Sequence, residues 1–175
     1  MKDLKYYFTS IALLIVISNC GAQVNYNTII NDFDKFYGSW TGSLTYLDYS
    51  SGKPYTMPAE LKVKRIHNTN QFTFSFKYPN ESSANSLDTI IISLDGRNLN
   101  KESIKSRQKL KNGNIEIITV EVGQDGNDDQ QATLKYSYIF GKTTFSIVKD
   151  VQFSGETKWI KRHTYSFAKI PSLSN

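Results

Sequence analysis

An all-β fold, a single antiparallel up-and-down β-barrel of eight to ten strands, is what this sequence predicts, and three observations predict it. From Gly38 onward the hydrophobic period is two, and Phe72, Phe74 and Phe76 form the clearest alternating row. Turn signals recur at short intervals, among them Asp95-Gly96, Asn112-Gly113 and Ser154-Gly155. No helical pattern separates the strands, which excludes parallel βαβ units. A Greek-key sandwich needs a long crossing connection, and the sequence shows none. A closed sheet instead removes edge strands, and its interior holds side chains or one small ligand.

The 175-residue chain begins with a targeting segment. Lys2 and Lys5 precede an eight-residue apolar run over 11–18. A spanning helix needs about 20 apolar residues, so the run is too short to cross a bilayer. A charged start, a short apolar run and small residues after it describe a secretory signal peptide over residues 1–19. Ile17-Ser18-Asn19-Cys20 resembles a bacterial lipobox, which implies a lipid-modified Cys20 at the mature N-terminus. Ordinary cleavage after Ala22, from Cys20-Gly21-Ala22, is the other reading. The first places the protein on the periplasmic face of the envelope, held to the membrane by its lipid. The second leaves it soluble in the periplasm or secreted.

Either way the mature chain has no cysteine pair, so its core alone must hold the fold. Losing the two lysines and one aspartate of residues 1–19 takes the net charge from +5 to +4. That excess bears on solubility. The basic residues are spread out, the densest group being Lys62, Lys64 and Arg65. No basic stripe marks a nucleic-acid partner. A monomer is expected.

Residues 20–36 read as a tether with a short helical lead-in, because Ile29, Ile30, Phe33 and Phe36 recur at helical spacing. The barrel occupies 37–170 and a tail 171–175. In the first strand Trp40, Gly42, Leu44 and Tyr46 share a face. The stretch 50–58, with Gly52, Pro54 and Pro58, reads as a turn-rich connection. Strands follow over 59–66 and 71–78, then 87–94 and 102–110. After the Asn112-Gly113 hairpin come 114–122, an acidic loop over 123–131, and strands at 132–140, 143–153 and 157–170.

Gly38-x-Trp40, in a first strand that follows a short helical lead-in, resembles the opening of the calycins, the superfamily of lipocalins, fatty-acid-binding proteins and avidins. The resemblance implies a lipocalin-like barrel with Trp40 packed at its closed end. It also implies a basic residue from the last strand lying across the indole. Arg162 is expected in that role, with Lys161 as second choice, worth about 0.5–2 kcal/mol as a cation–π contact. The same stretch also resembles nitrobindin-type barrels, in which a histidine binds haem iron. His163, on one face with Trp159, Tyr165 and Phe167, would be the ligand of that alternative.

Alternation places Phe72, Phe74, Phe76 and Tyr78 inward on one strand, and Leu134, Tyr136, Tyr138 and Phe140 inward on another. Phe72, Phe74, Phe76, Tyr136, Tyr138 and His163 are therefore the candidate ligand-binding residues. They would line a pocket opposite Trp40, apolar below and ringed by tyrosine hydroxyls. The expected occupant is a small apolar or amphipathic molecule. A filled barrel serving envelope assembly is the alternative class. Asp125, Asn127, Asp128 and Asp129 lack calcium-loop spacing and read as a solvated hairpin. No G-x-S-x-G or H-E-x-x-H occurs, and no catalytic residue, metal or cofactor is expected. Replacing Cys20 by Ser is expected to release the protein from membranes or leave its precursor uncleaved. Membrane fractionation and N-terminal sequencing check this; a wholly soluble wild-type chain beginning at Gln23 contradicts it.

Overall fold

The computed structural model describes residues 25–171. The signal peptide, Cys20 and most of the 171–175 tail lie outside them. Helix α1 (Tyr26–Asp34) leads into ten strands: β1 (Gly38–Asp48), β2 (Lys53–Arg65), β3 (Gln71–Lys77), β4 (Ser86–Ile91), β5 (Asn98–Leu99), β6 (Glu102–Lys109), β7 (Ile115–Asp125), β8 (Gln130–Phe140), β9 (Thr144–Phe153) and β10 (Ile160–Lys169). They form one sheet in the order β4-β3-β2-β1-β10-β9-β8-β7-β6-β5. Every pairing is antiparallel, and the first strand pairs with the last. The sheet thereby curls into a nearly closed up-and-down barrel. Its terminal strands meet only through the bridge Ile92↔Leu99. Asn100 reinforces this seam: its amide donates to the Thr89 carbonyl at 3.1 Å, and its side-chain oxygen accepts from the Ile91 N–H at 2.8 Å.

The helical lead-in is α1. Asn25 caps it by accepting the Asn27 N–H at 2.9 Å. The helix buries Ile29, Ile30 and Phe33 on one side. Phe33 sits 5.5 Å from the Phe72 ring and 5.4 Å from that of Phe140, so α1 covers one end of the barrel. Asp32, on the same helix, is buried as well, and Arg107 of β6 grips both its oxygens through Nε and Nη2. A bidentate guanidinium satisfies the carboxylate where water cannot, and pins the helix to the wall.

Trp40 completes this end. It is 1% exposed, donates its indole N–H to the Phe36 carbonyl at 2.9 Å, and packs against Phe36 and Phe145. Gly38 turns the chain out of the helix at φ 130°, and Gly42 lets β10 come close. A Cβ at Gly42 would stand 1.9 Å from the Ser166 carbonyl oxygen. That is why glycine flanks the tryptophan on both sides.

The structure corrects the expected partner of Trp40. The β1–β10 register sets Trp40 opposite Lys169, and it is the Lys169 ammonium that lies 5.3 Å from the indole. Arg162 belongs to the other end of β10, with its guanidinium 4.2 Å above the Tyr49 ring. Lys161 is exposed and also far from Trp40 along the strand. A strand rises about 3.3 Å per residue, so seven residues carry Arg162 roughly 20 Å from the floor.

Three further differences have local causes. The stretch 50–58 is a connection only to Gly52; Pro54 and Pro58 lie inside β2. β3 pairs only from Glu60 onward, so the first half of β2 is an edge where a missing N–H costs little. A bulge between Lys161 and His163 changes the phase of β10. Trp159, which shares a parity with His163, consequently stands outside under the Lys135 ammonium, 4.6 Å from it. Finally, β5 is a two-residue strand that carries no alternation to detect. Trp40→Ala is expected to cost about 3–5 kcal/mol, read from urea unfolding. Arg162→Met should leave the indole environment unchanged, whereas Lys169→Met should shift its emission.

Candidate functional site

Above the aromatic floor the barrel is not full. A cavity of about 370 Å³ opens between the walls. Its base is Phe74 and Tyr138, which touch Phe33 from the other side at 6.3 and 6.2 Å. One wall is Tyr136 and Ile147; the opposite one is Phe76, Tyr165 and His163. Asp88, Thr89 and Ile90 of β4, with Asn100 and Glu102, complete it. The exposed residues in this lining are Asp88, Thr89 and Asn100. All three stand at the seam, where β4 and β6 are not paired. The mouth of the cavity is thus the gap in the barrel wall.

Five of the six residues expected to bind a ligand line this cavity: Phe74, Phe76, Tyr136, Tyr138 and His163. Phe72 does not. It lies lower, against Phe33 and 5.7 Å from the Arg65 guanidinium, and belongs to the filled end. Its place on the inward face of β3 was readable, but not its depth.

Glu102 is the residue that sequence reasoning missed. Its carboxylate accepts from the Thr119 hydroxyl and from the Tyr138 hydroxyl at 3.1 Å. Burial disfavours its charged form and lifts its pKa to about 7, against the pull of those two donors. Among the described residues no lysine, arginine or histidine pairs with it. Glu102 stands at the start of a β6 whose sequence is polar on both faces, so nothing local marked it as interior.

Two of the cavity tyrosines are held by hydrogen bonds, Tyr138 to Glu102 and Tyr165 to Tyr78. Burial, then the Glu102 charge, raises the Tyr136 and Tyr138 phenols above their ordinary value. Tyr165 is likewise raised by burial, and its hydroxyl shares a 2.6 Å hydrogen bond with Tyr78. His163 meets Tyr165 edge-on at 5.3 Å. Burial, then the nearby Lys149 and Arg162 charges, lowers its pKa to about 4, so it is a neutral imidazole at physiological pH.

A second polar group closes the far end. Asp125, expected in a solvated loop, instead ends β7 with its side chain 7% exposed, receiving Lys149 at 2.5 Å and Arg162 at 3.3 Å. Burial pushes its carboxyl up, but Lys149, the Gly126 N–H and Arg162 outweigh that and hold it below its usual range. Asp128 and Asp129 are exposed, as a hairpin requires. Among the described residues no group of three or more histidine, cysteine, aspartate or glutamate side chains could hold a metal ion.

No family model matches the chain, and no curated protein matches it. Solved structures do. The chain is similar to the crystal structure of Rv2717c from M. tuberculosis, with a TM-score of 0.50 and 11% identity over 81% of this chain and 97% of that one. It is also similar to a protein of unknown function from the DUF3598 family of Nostoc punctiforme, with a TM-score of 0.36 and 9% identity over 79% of this chain and 49% of that one. The first likeness shows a shared fold.

The cavity groups make stability depend on pH in a defined direction. Between about pH 4.5 and 7 the folded chain holds more proton at Glu102 than the unfolded chain, so this contribution falls as pH rises. His163 opposes it: between about pH 4 and 6.5 the folded chain holds less proton, so that contribution rises with pH. Glu102→Gln removes only the first. Its stability gain over wild type is expected to grow up to about pH 7, reaching on the order of 3 kcal/mol, and to stay level above. Urea titrations across this range check the sign; a pH-independent difference contradicts it.

Proposed function

We propose that this barrel binds a small amphipathic molecule in the cavity between Tyr136 and Tyr165. The carrying observation is the hollow itself. Six aromatic residues pack the lower end solidly (Phe33, Phe36, Trp40, Phe72, Phe140 and Phe145), while the cavity above them is open at the seam. Its volume lies within the usual range for small-molecule sites, and it joins aromatic walls to a few convergent polar groups. The sequence supports an exported protein held to the envelope by a lipid on Cys20, so the ligand would be met on the periplasmic side. A lipid anchor and a hollow barrel together suit a binding protein more than an assembly protein, whose barrel would be filled throughout.

Haem is the second reading, and one observation favours it: His163 lines the cavity as a neutral imidazole, the form that ligates metals. Against it, among the described residues no carboxylate or carbonyl hydrogen-bonds the ring, the support that metal-bound histidines ordinarily have.

Titration with the uncharged amphipathic fluorophore 1-aminoanthracene is expected to give saturable one-site binding. Ile147→Trp, which fills the cavity, should abolish it while circular dichroism still reports a folded barrel. Absence of binding to wild type contradicts the reading. A Soret band with haemin that disappears in His163→Ala would replace it with the haem reading.

A further inference from the structure

The charge of the cavity points to one class of ligand. We infer, resting on the binding reading above, that the occupant is an organic cation, an ammonium group held against Glu102 within a cage of aromatic rings. The argument begins with what Glu102 lacks. Its two hydrogen-bond donors, Thr119 and Tyr138, are neutral, and among the described residues no cation pairs with it. The partly buried basic groups have partners of their own: Lys149 and Arg162 pair with Asp125, and Arg107 with Asp32. A carboxylate inside a low-dielectric cavity without a counter-ion is costly, and a cation brought from outside removes that cost.

The other groups facing the cavity agree. Asp88 stands at the mouth, so a cation passes an attractive charge on the way in and an anion a repulsive one. His163 stays neutral and offers no competing charge. Tyr136, Tyr165 and Phe76 present rings to the same space, Phe76 and Tyr165 only 5.0 Å apart. Ring faces attract cations, most strongly where water is excluded. A fatty-acid carboxylate finds the reverse: two carboxylates and electron-rich rings. The ligand's apolar part would rest on Phe74 and Ile147, which are buried at the base and wall.

Calorimetric titration of the full chain with three matched probes, cyclohexylamine, cyclohexanol and cyclohexanecarboxylate, tests this at about pH 8, where Glu102 is ionised. The amine is expected to bind at least about tenfold more tightly than either analogue. Glu102→Gln should reduce the amine to the level of the alcohol, with folding checked by circular dichroism. If that variant fails to fold, the order of the probes on wild type decides alone. Equal or tighter binding of the alcohol or the carboxylate overturns the cation inference and leaves the binding reading intact. Binding of none of the three, together with failure of the uncharged fluorophore, overturns both.

Discussion

The rest of the structure depends on how one end of the barrel is stopped. A nearly closed sheet of ten strands encloses more space than aliphatic side chains fill, and the chain answers with rings. Phe33 arrives from α1, Phe36 follows it, and Trp40 enters from β1, each at most 1% exposed. They meet Phe72, Phe74, Phe140 and Phe145 from three strands, in tilted and edge contacts between about 4 and 6 Å. With no disulfide available, this cluster and the buried Asp32–Arg107 pair carry the stability of the floor. Breaking a buried ion pair by removing one partner typically costs about 3–5 kcal/mol, so the helix cannot drift from the barrel cheaply.

Because the floor is filled, what lies above it is set by the remaining interior residues. These change character along each strand: on β8 the inward row runs Phe140, Tyr138, Tyr136, Leu134, and on β10 it runs Phe167, Tyr165, His163. Hydroxyls and an imidazole replace plain rings just where Glu102 enters from β6. The Asp125–Lys149–Arg162 group, with Tyr49, then closes the far end. A cavity between two closed ends needs a side opening. The unpaired stretch between β4 and β6 supplies it, held at a fixed width by the Asn100 hydrogen bonds.

The all-β barrel was legible because alternation survives wherever one face is buried and the other wet. Phe72, Phe74 and Phe76 announced their strand, and Tyr136 and Tyr138 theirs. Strand placement failed where local chemistry was overruled by topology, as with the two prolines that an edge tolerates. The partner of Trp40 was misread for a similar reason. Register sets which end of β10 faces the indole, and a bulge after Lys161 resets the alternation. The site was legible by half. Inward-facing rings can be counted in a sequence, but an isolated glutamate on a polar strand gives no sign that folding will bury it.

Native mass spectrometry of the full chain purified from its own cells tests the central claim most directly, since the claim is that the upper half of this barrel is a container. The account expects a single small molecule that remains bound to the folded chain, leaves on unfolding and is displaced by cyclohexylamine. A folded chain carrying no noncovalent adduct, and taking up none of the amine when it is supplied in excess, would contradict it.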